Sequence, residues 1–156
     1  MNKTHYFYGE LSNIDKKDLN KLIMLDNSQM KYPWTLASWE QSYIAENLMC
    51  ILEHCQNGDI ISCVIFSFQS EESLEIHKFI VDKRWRRTGK GRLLFNKLKT
   101  EIKTKANLLK CDIVLEVSVE NEDAISFYRA LGFEPVAKRK SFYSDGSDAY
   151  TMILSI

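Results

Sequence analysis

The stretch Arg86-Arg87-Thr88-Gly89-Lys90-Gly91-Arg92 decides how this chain is read, because it stands between an alternating run, residues 74–81, and a helical run, residues 90–106. Two glycines one residue apart let the backbone turn tightly and bring its N–H groups close to a ligand. The following helix adds the positive end of its dipole, so strand, loop and helix together make a cradle for a phosphate-bearing anion. Arg84, Arg86, Arg87 and Arg92 surround it with cationic side chains. Two common phosphate motifs do not fit. A P-loop needs a hydroxyl residue after its lysine, and Gly91 follows Lys90. A dinucleotide fingerprint needs a third glycine where Leu94 stands, and its strand would open the domain.

The charge pattern points the same way. The 156 residues balance 21 basic against 21 acidic side chains, yet the balance is uneven along the chain. Residues 1–82 hold six basic and twelve acidic residues, residues 83–110 hold eleven basic residues and Glu101, and residues 111–156 hold four basic and eight acidic. Segment charges of −6, +10 and −4 make an anion the expected partner of the middle block. Part of that block has a simpler reading. Lys97, Lys99, Lys103 and Lys105 suit the solvated face of a helix whose other side carries Leu94, Leu98 and Ile102. The arginines flanking the glycines are not explained in that way.

Length and composition set the frame. At 156 residues one domain, 1–156, is expected, large enough to bury a core without disulfide or metal. A content of 45% hydrophobic and 27% charged residues excludes a disordered chain. Residues 1–11 carry one lysine and no long apolar run, so no secretory signal is expected, and residues 60–68, broken by Ser62 and Ser67, are too short to cross a bilayer. Cys50, Cys55, Cys63 and Cys111 lack paired metal-site spacing; they read as reduced thiols of a cytoplasmic protein, with no metal and no membrane partner.

Outward from the loop, periodicity gives the rest of the order. A short strand is expected over 5–11, a helix over 15–26, and a break at Tyr32-Pro33-Trp34, since the residue before proline is pushed out of helical geometry. Thr35 caps a second helix over 36–46. Strands follow over 49–54 and 60–69, joined through Asn57-Gly58, and then the strand that enters the loop. After the helix come a strand over 112–119 and a helix capped by Asn121 and stopped at Gly132. Strands over 135–142 and 149–155 finish the chain. This order predicts a mixed α/β sandwich around one central sheet.

The pattern Arg86-x-x-Gly89-x-Gly91 before an apolar helix resembles the acetyl-CoA pyrophosphate loop of the GNAT N-acetyltransferases. Leu115-Glu116-Val117, Asn121, Ala124-Ile125-Ser126-Phe127-Tyr128 and Leu131-Gly132-Phe133 resemble a second region of that family. Pro33-Trp34 and Lys140-Ser141-Phe142-Tyr143 are similar to features of its RimI-like branch, which acetylates the N-terminal alanine of a small-subunit ribosomal protein. The resemblance spans residues 33–152, with Lys78 a departure where that branch often has asparagine. It implies a GNAT fold, a mostly antiparallel splayed sheet flanked by helices. It implies acetyl-CoA as cosubstrate without metal, with pantetheine along Phe79, Ile80 and Val81 and pyrophosphate held by Arg86, Arg87, Thr88, Gly89, Lys90, Gly91 and Arg92. It further implies Asn121 at the pantetheine arm, Glu116 as base, Tyr128 as acid, and Pro33, Trp34 and Tyr143 toward the acceptor.

Each role has a plainer counterpart in the residues themselves. Alternation sets Glu116 opposite Ile113, Leu115 and Val117, which also suits a solvent-facing carboxylate. Tyr128 lies on the apolar stripe of its helix, and Asn121 is sufficient as a cap. For the acceptor, an α-amine with a pKa of about 7.7–8.0 is roughly a tenth to a quarter neutral near pH 7, while lysine at about 10.4 is almost wholly charged. One glutamate therefore suits a protein N-terminus best, with a small-molecule amine such as a polyamine or aminoglycoside as the alternative. A nucleic-acid-binding module built on residues 83–110 would use the same charge. It is disfavoured, since Trp85 is the lone aromatic beside the loop.

Overall fold

Where apolar residues alternate, the chain forms strands: β1 (His5–Glu10), β2 (Met49–His54), β3 (Ile60–Ser70), β4 (Ser73–Val81), β5 (Asp112–Ser118), β6 (Glu134–Arg139) and β7 (Ala149–Ser155). Where they recur at helical spacing it forms α1 (Lys16–Gln29), α2 (Leu36–Ile44), α3 (Lys90–Thr104) and α4 (Glu122–Ala130). These come from a computed structural model that describes residues 4–104 and 110–156. One sheet runs β1-β2-β3-β4-β5-β7-β6, antiparallel except between β4 and β5. A mixed α/β sandwich with a mostly antiparallel sheet is thus what the chain adopts. Among the described residues no helix is long and apolar enough to cross a membrane.

Alternation places a core on each face of the sheet. On one face Ile51, Val64, Phe66 and Leu115 pack with Leu94, Phe95, Leu98 and Ile102 of α3 and Tyr128 of α4. On the other Cys50, Leu52, Cys63 and Ile65 pack with Leu22 and Leu25 of α1 and Trp39 of α2. Within α3, Glu101 is buried against Lys97 at 2.9 Å, so one of the lysines expected on the solvated face serves an internal carboxylate. The last residues of the expected helix, Lys105 and Ala106, lie outside the described residues.

Two irregularities in β4 and β5 open the sheet. These strands pair only from Ser73–Ile76 against Asp112–Leu115. Beyond that point Phe79, Ile80 and Val81 stay with β3, while Glu116, Val117 and Ser118 stay with β7, and a wedge parts the two strands. A β-bulge helps this divergence: Ile65 pairs with Lys78 and Phe66 with Ile76, leaving His77 as the extra residue. The bulge reverses the side-chain alternation. Ile76 joins the core under α3 and α4, whereas Ile80 joins the core under α1 and α2.

Local chemistry sets the element ends. Asp15, Thr35 and Asn121 accept from Asp18 N at 2.7 Å, Ser38 N at 3.1 Å and Ala124 N at 3.1 Å, capping α1, α2 and α4. Gly132 follows α4 at φ +99°, the left-handed geometry that ends a helix. Helix α1 extends past the expected end at Asp26 to Gln29, since no glycine or proline interrupts that turn, and Met30 leaves it in extended geometry. Strand β6 is shorter than expected. Ser141 takes φ +51° and gives its N–H to Asp148 Oδ1 at 2.9 Å, which removes that donor from the ladder.

Candidate active site

The glycine loop leads from the free end of β4 into α3. A single 3₁₀ turn, Lys83–Trp85, reverses the chain, held by the Asp82 carboxylate on Arg84 N at 2.8 Å. Arg87 and Gly89 then adopt φ of +59° and +86°. Leu93 is the first amide of α3 to donate within the helix, to Gly89 O at 3.0 Å. The N–H groups just ahead of it therefore point out of the helix start, where an anion would meet them. Gly91 is needed for packing: a Cβ there would lie 2.9 Å from Phe127 Cζ.

The cationic side chains around the loop divide by task. Arg84 pairs with Asp82 at 2.7 Å, and Arg86 donates through Nε to Val81 O at 2.9 Å. Lys90 turns inward to the fully buried carboxylate of Glu53, which also accepts from Ser62 Oγ at 2.9 Å. The amide of Lys90 is thus placed at the helix start while its ammonium pins α3 to β2. Arg87 stays exposed, 3.8 Å from Asp123, and Arg92 reaches Ala130 O at 3.5 Å. Thr88 Oγ1 donates to Trp85 O at 2.5 Å, closing the turn.

Glu116 and Tyr128 flank the wedge from β5 and α4. Glu116 points away from the α3–α4 core, 15% exposed, and its Oε1 accepts from Arg139 Nη1 at 3.0 Å and Thr151 Oγ1 at 3.5 Å. Neither contact uses Oε2. Tyr128 is buried among Phe79, Phe127 and Phe133, with ring centroids 6.2, 5.4 and 5.6 Å away. Among the described residues its hydroxyl has no hydrogen-bond partner. Burial first, then the nearby Tyr143 hydroxyl, holds its phenol above the ordinary range, so it stays protonated. Tyr143 joins the two sites. Burial, Tyr32 and Glu116 push it up to about 12, against an opposing backbone hydrogen bond from Ser118.

A third group of residues comes from the loop between α1 and α2. Tyr32 stacks on Tyr143 at 3.9 Å and bonds Asp145 Oδ2 at 2.9 Å and Ser147 Oγ at 2.7 Å, tying this loop to the β6–β7 turn. Lys31 pairs with Glu120 beyond the end of β5. Pro33 is exposed, and Trp34 packs edge-on against Trp39 at 4.9 Å. Arg139, Thr151, Tyr32 and Asp145 are not singled out by sequence reasoning, because each gains its position only through long-range pairing. The Glu116–Thr151 register is one such pairing.

Residues 16–133 match the model of the acetyltransferase (GNAT) family. The chain belongs to the GNAT acetyltransferases. It is 30% identical over 145 residues to N-alpha-acetyltransferase 30 of Dictyostelium discoideum, covering 90% of this chain and 76% of that protein. In structure it is similar to Ard1 from Thermoplasma volcanium, with TM-score 0.79, 26% identity and 97% of each chain covered. It is also similar to the ribosomal-protein-S18-alanine N-acetyltransferase of Escherichia coli, with TM-score 0.77, 25% identity, and 97% of this chain and 94% of that one covered. The RimI-like resemblance rests on these matches as well as on the motifs.

The wedge and the loop beside it thus bring together a glycine-rich helix start, an open strand edge, a carboxylate and a protonated phenol. Two of the thiols, Cys50 and Cys63, are not suited to covalent relay. Burial pushes Cys50 up to about 12 and raises Cys63 well above its ordinary value, so neither supplies a thiolate near neutral pH.

Proposed function

We propose that this GNAT enzyme transfers acetyl from acetyl-CoA to the N-terminal α-amine of a protein, by direct attack in a ternary complex. The observation that carries the reading is the wedge between β4 and β5. It leaves the edge at Phe79, Ile80 and Val81 without a strand partner and brings Glu116 and Tyr128 to its two sides. In this reading the amides of residues 88–91, with Arg87 and Arg92, bind the pyrophosphate. Phe79, Ile80 and Val81 hold the pantetheine arm as if it were a strand, and Asn121 adds a contact from the cap of α4.

Acetyl-CoA supplies an activated thioester. Glu116 receives the proton of the incoming amine, directly or through water, and Tyr128 gives its proton to the departing sulfur. Tyr32, Pro33, Trp34 and Tyr143 line the acceptor approach. The free thiols suit the cytoplasmic setting expected for a protein-modifying enzyme of this kind. The test is mass spectrometry of products after incubation with acetyl-CoA and a panel of alanine-, serine- and methionine-initiated peptides, polyamines and aminoglycosides. Acetyl on a peptide α-amine is the expected product. Turnover of the small amines alone would replace this reading.

A further inference from the structure

The α1–α2 loop is moored differently at its tip and at its root. At the tip, Lys31–Glu120 is an exposed ion pair of the kind that holds a loop weakly, while Tyr32 stacks on Tyr143 and meets Asp145 and Ser147 of the β6–β7 turn. At the root, Asp26 of α1 is fully buried and has three donors. Its Oδ2 accepts Trp34 N at 2.9 Å and Trp39 Nε1 at 3.1 Å, and its Oδ1 accepts Lys78 Nζ at 2.6 Å. Lys78 is itself only 4% exposed in its side chain, and its ammonium lies 4.8 Å from the Trp34 ring centre and 6.0 Å from that of Trp39.

Lys78 sits one residue beyond the His77 bulge and one before Phe79, whose strand edge faces the wedge. The bulge is what sends Lys78 to the α1–α2 face. One ammonium therefore links the strand read as holding pantetheine to the loop read as meeting the acceptor. A buried ion pair of this kind adds little net stability over a well-packed apolar pair, and here it joins β4 to α1 at one point. Burial lowers the Lys78 ammonium below the ordinary lysine range, and the bond to Asp26 offsets part of that effect.

We propose that Lys78 is a positioning residue. Through Asp26 it holds residues 30–35 where Tyr32, Pro33 and Trp34 receive the acceptor, and so sets acceptor affinity without touching coenzyme affinity. This rests on the acetyl-transfer reading above. The test is steady-state kinetics with an alanine-initiated peptide, together with calorimetry of acetyl-CoA binding and amide hydrogen exchange. Lys78→Met is expected to raise the acceptor KM tenfold or more, with kcat within threefold and acetyl-CoA Kd within twofold of the parent. Lys78→Arg, which keeps the charge, restores most of the loss. Amides of residues 31–35 exchange at least tenfold faster in Lys78→Met, while those of β2 and β3 do not.

If unpaired Asp26 prevents Lys78→Met from folding, the double variant Asp26→Asn with Lys78→Met removes both buried charges and is expected to show the same KM and exchange changes. An unchanged KM with unchanged loop exchange overturns the proposal, as does a joint rise of KM and coenzyme Kd. Absence of peptide turnover in the parent protein overturns the acceptor reading instead, and loop exchange then decides the role of Lys78 by itself.

Discussion

Tyr128→Phe separates catalysis from folding more cleanly than any other change at this site. The substitution deletes one oxygen and keeps the ring that packs on Phe79, Phe127 and Phe133. Among the described residues that oxygen has no hydrogen-bond partner, so the fold loses no bond. Stability is then expected to stay level or to rise by up to about 1 kcal/mol, which is roughly 2–4 °C in Tm for a chain of this size. The chemistry loses its proton donor, and positioned acid catalysis contributes about 10²–10⁴ in rate. Thermal melting, acetyl-CoA calorimetry and steady-state kinetics on one preparation read all three effects. The account predicts an intact melt, coenzyme affinity within about threefold and a collapsed kcat. Because burial and Tyr143 raise the Tyr128 phenol, its proton is lost only above the ordinary phenol range near 10, so Tyr128 imposes no falling limb on kcat between pH 7 and about 10. A folded variant with near-parental kcat would refute the role given to Tyr128.

Other perturbations probe the remaining parts. Glu116→Gln keeps the size of the side chain but cannot take a proton; kcat is expected to fall about 10²–10⁴-fold and its pH optimum to move upward, as more of the amine must arrive neutral, and unchanged turnover would remove Glu116 as base. Gly91→Ala drives a Cβ to within 2.9 Å of Phe127 Cζ, so α3 or Phe127 must shift; acetyl-CoA Kd by calorimetry is expected to rise about tenfold or more, with acceptor KM little changed. Lys90→Met leaves the fully buried Glu53 with Ser62 and Tyr6 as partners among the described residues and no cation, and urea unfolding is expected to show a loss of about 3–5 kcal/mol.

Much of this architecture is legible in the sequence, for identifiable reasons. The glycine loop, the Asn57-Gly58 turn and the Thr35 and Asn121 caps are local. Each needs a special φ or a short polar side chain at one position, and the chain supplies it. The α3 stripe of Leu94, Leu98 and Ile102 is legible for the same kind of reason, since its period is complete within the helix. What the sequence hides is long-range. The inward turn of Lys90 to Glu53 depends on β2 lying beneath α3. The pairing of Arg139 with Glu116 depends on β6 and β7 returning beside β5. Asp26 looks like an exposed helix residue until Trp34, Trp39 and Lys78 close around it. The wedge is hidden too, because no residue in β4 or β5 forbids further pairing; it follows from where each strand finds its other neighbour.

The most direct measurement is a crystal structure of the protein with coenzyme A. The account predicts the diphosphate within hydrogen-bond distance of the amides of residues 88–91, the pantetheine along Phe79–Val81, and the sulfur between the Tyr128 hydroxyl on one side of the wedge and the Glu116 carboxylate on the other. Coenzyme bound elsewhere, or a sulfur remote from both side chains, would contradict it.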